Sequence, residues 1–184
     1  KKINLNFKIF NSKINEKKIK FNNNPAYYCK KLAEKKCIIA SEKFKESLII
    51  AADTIVYHNK KVYNKPKNKT EAIQHLKNLS GQTHIVYTGV CLMVQTKNIK
   101  INFYDKTYVE FHKINNYSIN NYIDNYQPYD KAGSYGIQDW SMIFVKKING
   151  CFNNVVGFPI SKFYKLASEN DTINKIIELN KKNG

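Results

Sequence analysis

Leu48-Ile49-Ile50-Ala51-Ala52-Asp53-Thr54-Ile55-Val56 is an apolar run of strand length, broken by one acid and one hydroxyl. Such a short, continuous apolar run bounded by polar segments reads as a buried strand. A carboxylate inside it costs free energy unless a cation or a metal pairs with it. Asp53 is therefore a candidate site residue, near a strand end, where ligands gather in α/β sheets. The plainer reading is a strand that stops at Asp53, with the acid capping a turn. The rest of the chain decides between the two.

Upstream, Asn24-Pro25 reads as a helix start, with Asn as cap and Pro in the first turn. Tyr28, Leu32, Lys36 and Ile39 then keep helical spacing to about Phe44. Phe7 to Phe10 reads as a short strand. Downstream, His58-Asn59-Lys60-Lys61 predicts a hairpin turn into Val62-Tyr63. Thr70-Glu71 opens a helix with the stripe Ala72, Ile73, Leu76 and Leu79, closed by Gly81. His84 to Gln95 and Lys100 to Phe111 are rich in β-branched and aromatic residues and read as a hairpin turning near Lys97-Asn98. A short helix fits Ser118 to Asn125. Gly133 and Gly136 punctuate a loop from Tyr129 to Gln138. Met142 to Ile148 reads as a strand, and Asn149-Gly150 as a tight turn. Helices are expected after Gly157-Phe158-Pro159 and from about Asp171. This order is mixed α/β with antiparallel pairs, not a strict βαβ alternation.

At 184 residues and 21.5 kDa the chain can bury one good core, in one or two lobes. Hydrophobic content of 42% argues against disorder. No apolar run is long enough to span a bilayer. The net charge of +17 would ordinarily point to nucleic acid or a membrane surface. However, every basic residue is Lys, and the lysines are spread along the whole chain. Together with abundant Asn, this resembles a nucleotide-composition bias. Specific DNA readers tend to use Arg for bidentate contacts to guanine, which argues against specific nucleic-acid binding. The charge still favours anionic ligands. Cys29, Cys37, Cys91 and Cys151 form no Cys-x-x-Cys pair and no zinc-finger spacing with His. They read as reduced, buried thiols of a cytoplasmic protein.

Two further segments carry candidate chemistry. Lys65-Pro66 follows Asp53 by twelve residues. Proline stiffens the backbone beside Lys65, a candidate phosphate ligand. Asp130-Lys131-Ala132-Gly133-Ser134-Tyr135-Gly136-Ile137-Gln138 packs acid, base, hydroxyl and amide around two glycines, which permit close ligand approach. The amide of Gln138 offers a donor and an acceptor to a base edge. An ordinary helix-to-strand loop is the alternative. Glu16 and Lys36, read alone, are solvated charges. His84 opens a strand and receives no catalytic role. There is no P-loop or dinucleotide fingerprint, and no Ser-His-Asp or Cys-His arrangement follows from spacing.

Taken together, these segments resemble the Maf family of nucleoside triphosphate pyrophosphatases. The matching pieces are Asn15-Glu16, Leu32 to Lys36, Ala52-Asp53-Thr54-Ile55-Val56, Lys65-Pro66, Glu71-Ala72 through Leu76, and Leu79 to His84. They continue with Thr88-Gly89-Val90, Asp130 to Gln138, Ile148-Asn149-Gly150 and Asn154 to Pro159. The pieces lie in order over nearly the whole chain.

The resemblance implies a single α/β domain over residues 1–184, a mixed twisted sheet with flanking helices and two lobes around a central cleft. It implies Mg²⁺-dependent cleavage (Mn²⁺ being the other candidate) between the α- and β-phosphates, in a cytoplasmic homodimer without membrane attachment. By position, Asp53 matches the catalytic acid, and Thr54 and Gln138 match positions tied to substrate choice. Lys36, Lys65 and Lys131 are expected to bind substrate, and Glu16 with Asp53 to hold the metal. The Gly-Ile-Gln ending resembles the branch acting on dTTP, UTP and modified pyrimidine nucleotides. Family members begin with a strand and a Ser-x-Ser-Pro-Arg-Arg loop, and this chain, which has no Arg, is expected to lack that segment. Two alternatives stay open: a nucleotide-binding relative impaired in catalysis, and a basic nucleic-acid-binding module.

Overall fold

Asn24 starts the first long helix by chemistry read from its side chain: its Oδ1 accepts the Tyr27 N–H at 3.0 Å and so satisfies a backbone donor of the first turn. The computed structural model describes residues 5–182. Helix α1 runs Pro25–Lys43 and β1 runs Ile49–His58. Asn59 and Lys60 adopt φ of 48° and 61°. That pair of left-handed residues is what a two-residue hairpin needs to match strand twist. It delivers β2, Lys61–Tyr63, antiparallel to β1.

Helix α2, Lys69–Leu79, is capped by Asn68, which accepts the Glu71 N–H at 2.9 Å, while the Glu71 carboxylate accepts from Lys67 N. Strands β3, Thr83–Val94, and β4, Ile99–Phe111, form the long hairpin, with Asn98 left-handed at its turn. Helix α3, Asn116–Tyr126, β5, Val145–Asn149, and helices α4, Phe152–Val156, α5, Ile160–Ser168, and α6, Asp171–Lys182, complete the order.

The fold is α/β. Five strands in the order β2-β1-β3-β4-β5 form one sheet, and every pairing among the described residues is antiparallel. Side chains alternate between its faces. Asp53, Ile55, Gly89 and Cys91 point to the face that receives α1, where Cys29, Leu32, Ala33 and Cys37 are fully or almost fully buried. The absence of a side chain at Gly89 allows this contact. A Cβ there would fall inside the backbone of Cys29 and Lys30.

The opposite face carries two apolar clusters. One joins Val56, Val86, Val109 and Phe111 to Leu76, Leu79, Ile119 and Tyr122 of α2 and α3. The other joins Val90, Leu92 and Phe103 to Phe163, Ala167, Ile173 and Ile177 of α5 and α6. Thr54, Thr88 and Thr107 lie between them, with Asn154 of α4 hydrogen-bonded to this row. The fold thus has two lobes on one side of the sheet, divided by a polar row.

Three local expectations are corrected. Phe7 to Phe10 pairs with no strand among the described residues; Phe7 is 68% and Ile9 91% exposed, and Phe10 meets Phe44 edge-on at 5.4 Å. The segment packs on the end of α1, with the Lys43 ammonium over the Phe10 ring, and not on the sheet. The strand expected from Met142 begins at Val145, because Asp139 caps a 3₁₀ turn over Trp140–Phe144 by accepting from Ser141 N. Asn149-Gly150 does not close a hairpin; Gly150, at φ +130°, leads into α4. All four cysteines are free thiols, but Cys151 is only half-buried. Among the described residues, no helix is long and apolar enough to cross a membrane.

Candidate functional site

Strand β2 pairs only with Val56–His58, so among the described residues the stretch 49–55 of β1 is paired on one side only, by β3. A cleft of about 510 Å³ opens along this bare edge, within the size range of small-molecule sites. Asp53 and Thr54 line its floor, joined by Lys36 from α1 and by Lys65 just after β2. Lys131, Ile137 and Gln138 come from the glycine-containing loop, and Val155 and Val156 from α4 form an apolar wall. Six of the seven candidate residues from the sequence thus line one cleft. The seventh, Glu16, does not line it but reaches Lys36 from a 3₁₀ turn, Glu16–Lys18.

Charge is concentrated at the Lys36 end. The Lys36 ammonium is paired with Asp53 Oδ1 and lies 3.1 Å from Glu16 Oε1. Only 9% of the Asp53 side chain is exposed, against 45% for Glu16. Burial pushes the Asp53 carboxyl up to about 6, even against the opposing pull of the Lys36 ammonium. For Lys36, burial alone would favour the neutral amine, but the Asp53 and Glu16 carboxylates outweigh it and hold the ammonium above its usual range. The opposite remedy of a lone buried acid, permanent protonation, is thereby avoided: Asp53 titrates close to neutrality.

The loop is fixed from behind. Gly133 sits at φ +67°, and a Cβ there would lie 2.8 Å from Val56 Cγ2, so only glycine lets the loop press on β1 beside Thr54. Behind it, His75 Nδ1 meets Ser134 Oγ at 2.8 Å and His84 Nε2 meets the Tyr135 hydroxyl at 2.8 Å. Burial drives His84 down to about 3, so it is a neutral anchor and not an acid or base at ordinary pH. Asp139 accepts from the Tyr122 hydroxyl at 3.0 Å and from Ser141 N, and the single proton of Ser141 Oγ is within reach of either Asp139 Oδ1 or the Gly136 carbonyl. Gln138, next to Asp139, remains exposed at the cleft mouth. Lys131 pairs with Asp130 at 2.8 Å, and its stem passes where a Cβ on Gly136 would sit.

Sequence reasoning missed several contributors. Tyr28 is buried near Asp53, and its phenol is held up first by burial and then by the Asp53 and Glu16 carboxylates. It reads as a core aromatic because its helical spacing matches Leu32. Asp139 follows the quoted loop directly, but nothing in the sequence connects it to Tyr122. Val155 and Val156 lie on a helix too short to leave a periodic signal.

Comparison with known proteins agrees with the arrangement. Residues 1–170 match the family described as Maf-like protein. A protein of Clostridium tetani named dTTP/UTP pyrophosphatase is 42% identical over 172 residues, covering 92% of this chain and 89% of the relative. A protein of the same name from Carboxydothermus hydrogenoformans is 41% identical over 92% of this chain and 90% of its own length. Another, from Thermosipho melanesiensis, is 43% identical over 90% and 87%. A family match over most of the chain, joined to identity at this level over nearly all of it, means that the chain belongs to the Maf-like protein family.

Proposed function

We propose that the protein is a nucleoside triphosphate pyrophosphatase, hydrolysing the α–β phosphoanhydride of dTTP, UTP and modified pyrimidine nucleotides to the monophosphate and pyrophosphate. The observation that carries this is Asp53: a nearly buried carboxylate, titrating near 6, on the bare edge of a sheet in a lysine-lined cleft. Relatives 42% and 41% identical to the chain are named dTTP/UTP pyrophosphatase.

Water attacks the α-phosphorus, and the bond from that phosphorus to the bridging oxygen breaks. Asp53 takes a proton from the water, a task suited to a base titrating near the working pH. The bridging oxygen leaves with pyrophosphate, and Lys36 and Lys65 meet its growing negative charge. Lys131 adds positive charge on the loop side. Excluding bulk water from this cleft raises the weight of each of these interactions.

Asp53 and Glu16 already meet at one ammonium. Two carboxylates that share one cation fit Mg²⁺, which in nucleotide chemistry uses one or two carboxylates with phosphate oxygens and water. Among the described residues no third His, Cys, Asp or Glu joins them. When bound, Mg²⁺, or Mn²⁺ in its place, would neutralise phosphate charge and orient the reacting groups. The same reading takes the chain as one Maf-like domain acting as a cytoplasmic homodimer.

Gln138 selects the base. Its amide presents one donor and one acceptor, which matches the imide edge of uracil or thymine. A pyrophosphate-release panel is expected to rank UTP, dTTP and 5-modified pyrimidine triphosphates above ATP and GTP. Gln138→Ala should flatten that ranking more than it lowers the best rate, because an unpaired polar site rejects the wrong base strongly. Equal loss on every substrate, or purine turnover as fast as UTP in the wild type, contradicts the assignment.

A further inference from the structure

The polar row between the two lobes is a chain of hydroxyls whose protons can be followed. Thr54 Oγ1 lies 2.9 Å from Thr88 Oγ1, and the two residues face each other in the β1–β3 register. Thr88 Oγ1 also lies 2.9 Å from the backbone carbonyl of Asn154. A hydroxyl has one proton, and a carbonyl can only accept. Thr88 must therefore donate to Asn154, because two oxygens at that distance without a proton between them repel. The Thr54 contact then has only one consistent direction: Thr54 donates and Thr88 accepts.

Asn154 is itself fixed. Its Nδ2 donates to the Val86 carbonyl at 3.1 Å and to Thr107 Oγ1 at 3.0 Å, and Thr107 passes its own proton to the Cys151 carbonyl. Gly157 leaves room beside the pair; a Cβ there would touch Thr54 Oγ1 at 3.4 Å. The carbonyl at the end of the relay therefore has no freedom to turn away and release Thr88.

We infer that Thr88 sets the polarity of the Thr54 hydroxyl, so that Thr54 faces the cleft only as an acceptor and selects nucleosides that present a hydrogen-bond donor to it. An acceptor-only group is a poor neighbour for phosphate oxygens, and Gln138 already takes the imide N–H of the base, so the donor is the sugar 3′-hydroxyl. Thr88 touches no substrate in this scheme and is a positioning residue. The inference rests on the nucleotide cleavage proposed above and adds to it the reason Thr54 discriminates.

The test measures kcat and KM for UTP, CTP and 3′-deoxy-3′-fluoro-UTP with the wild type and with Thr88→Val, Thr88→Ser and Thr54→Val. The fluoro analogue removes the sugar donor, and CTP, which loses the imide edge paired with Gln138, is the control. The wild type disfavours CTP through Gln138 in any case, and it is expected to disfavour the fluoro analogue by at least about tenfold, mainly in KM, as a neutral hydrogen bond left unmade implies. Thr88→Val frees Thr54 to turn and donate, so that ratio should narrow at least about fivefold while kcat on UTP changes less. Thr54→Val should narrow it as well, and Thr88→Ser, which keeps the hydroxyl, should not. The relay is overturned if the wild type does not disfavour the fluoro analogue, if Thr88→Val and Thr88→Ser behave alike, or if the rates on UTP and the fluoro analogue fall equally in Thr88→Val. A wild type that releases pyrophosphate from no nucleotide removes the functional reading itself. Unchanged ratios in an active enzyme remove only the relay.

Discussion

Asp53→Asn is expected to lower turnover of UTP by at least about a hundredfold, the scale of a lost general base. The amide keeps the shape of the carboxyl and removes its charge and its ability to take a proton. The fold should persist, since Lys36 keeps Glu16 as a partner. The same residue governs pH dependence. The Asp53 carboxyl titrates at about 6 and is active only when deprotonated, so kcat/KM should fall as pH drops through that value and level off above it. In Asp53→Asn the residual rate should lose that acidic limb. A variant that turns over near the wild-type rate, or a wild type with no acidic limb, contradicts the role given to Asp53.

Gly89→Ala is expected to be the most damaging single methyl addition in the sheet. Gly89 pairs with Asp53 in the β1–β3 register and supports α1 from below. An added Cβ would penetrate the backbone of Cys29 and Lys30, where no side-chain rotation can relieve the overlap. The helix must lift, which unpacks Cys29 and Ala33, both fully buried, and draws Lys36 away from Asp53. Overpacking of this kind costs about 3 kcal/mol or more. For a chain of this size that is a fall of about 6–12 °C in Tm. Thermal unfolding followed by circular dichroism measures it. A fall under about 2 °C means that α1 does not lie on Gly89 as described.

Much of this arrangement was legible in the residues. Asp53 stood out because a charge inside a buried strand needs a partner, and Lys36 is that partner. Gly133 and Gly136 marked the loop that closes on β1, for the reason glycine usually serves: backbone approach without a Cβ. Asn24 and the Asn59-Lys60 turn announced local structure through their own chemistry. The polar row was not legible. Thr54 stood out as the hydroxyl beside Asp53, but Thr88 and Thr107 read as ordinary β-branched strand residues, and only the strand register and the packing of α4 bring the three together with Asn154. Helix α4 was missed because its five residues carry no periodicity and follow an Asn-Gly that mimics a hairpin turn. Phe7 to Phe10 failed in the opposite way: the pattern was right for a strand, but Phe10 packs against Phe44 at the end of α1 while Phe7 and Ile9 stay exposed.

Attack at the α-phosphorus is the step from which the roles of Asp53, Lys36 and Lys65 follow. Hydrolysis of UTP in water enriched in heavy oxygen, with products separated and weighed by mass spectrometry, tests it directly. Water attacking the α-phosphorus puts one heavy oxygen into UMP and none into pyrophosphate. Label in pyrophosphate with none in UMP, or formation of UDP and inorganic phosphate, contradicts it.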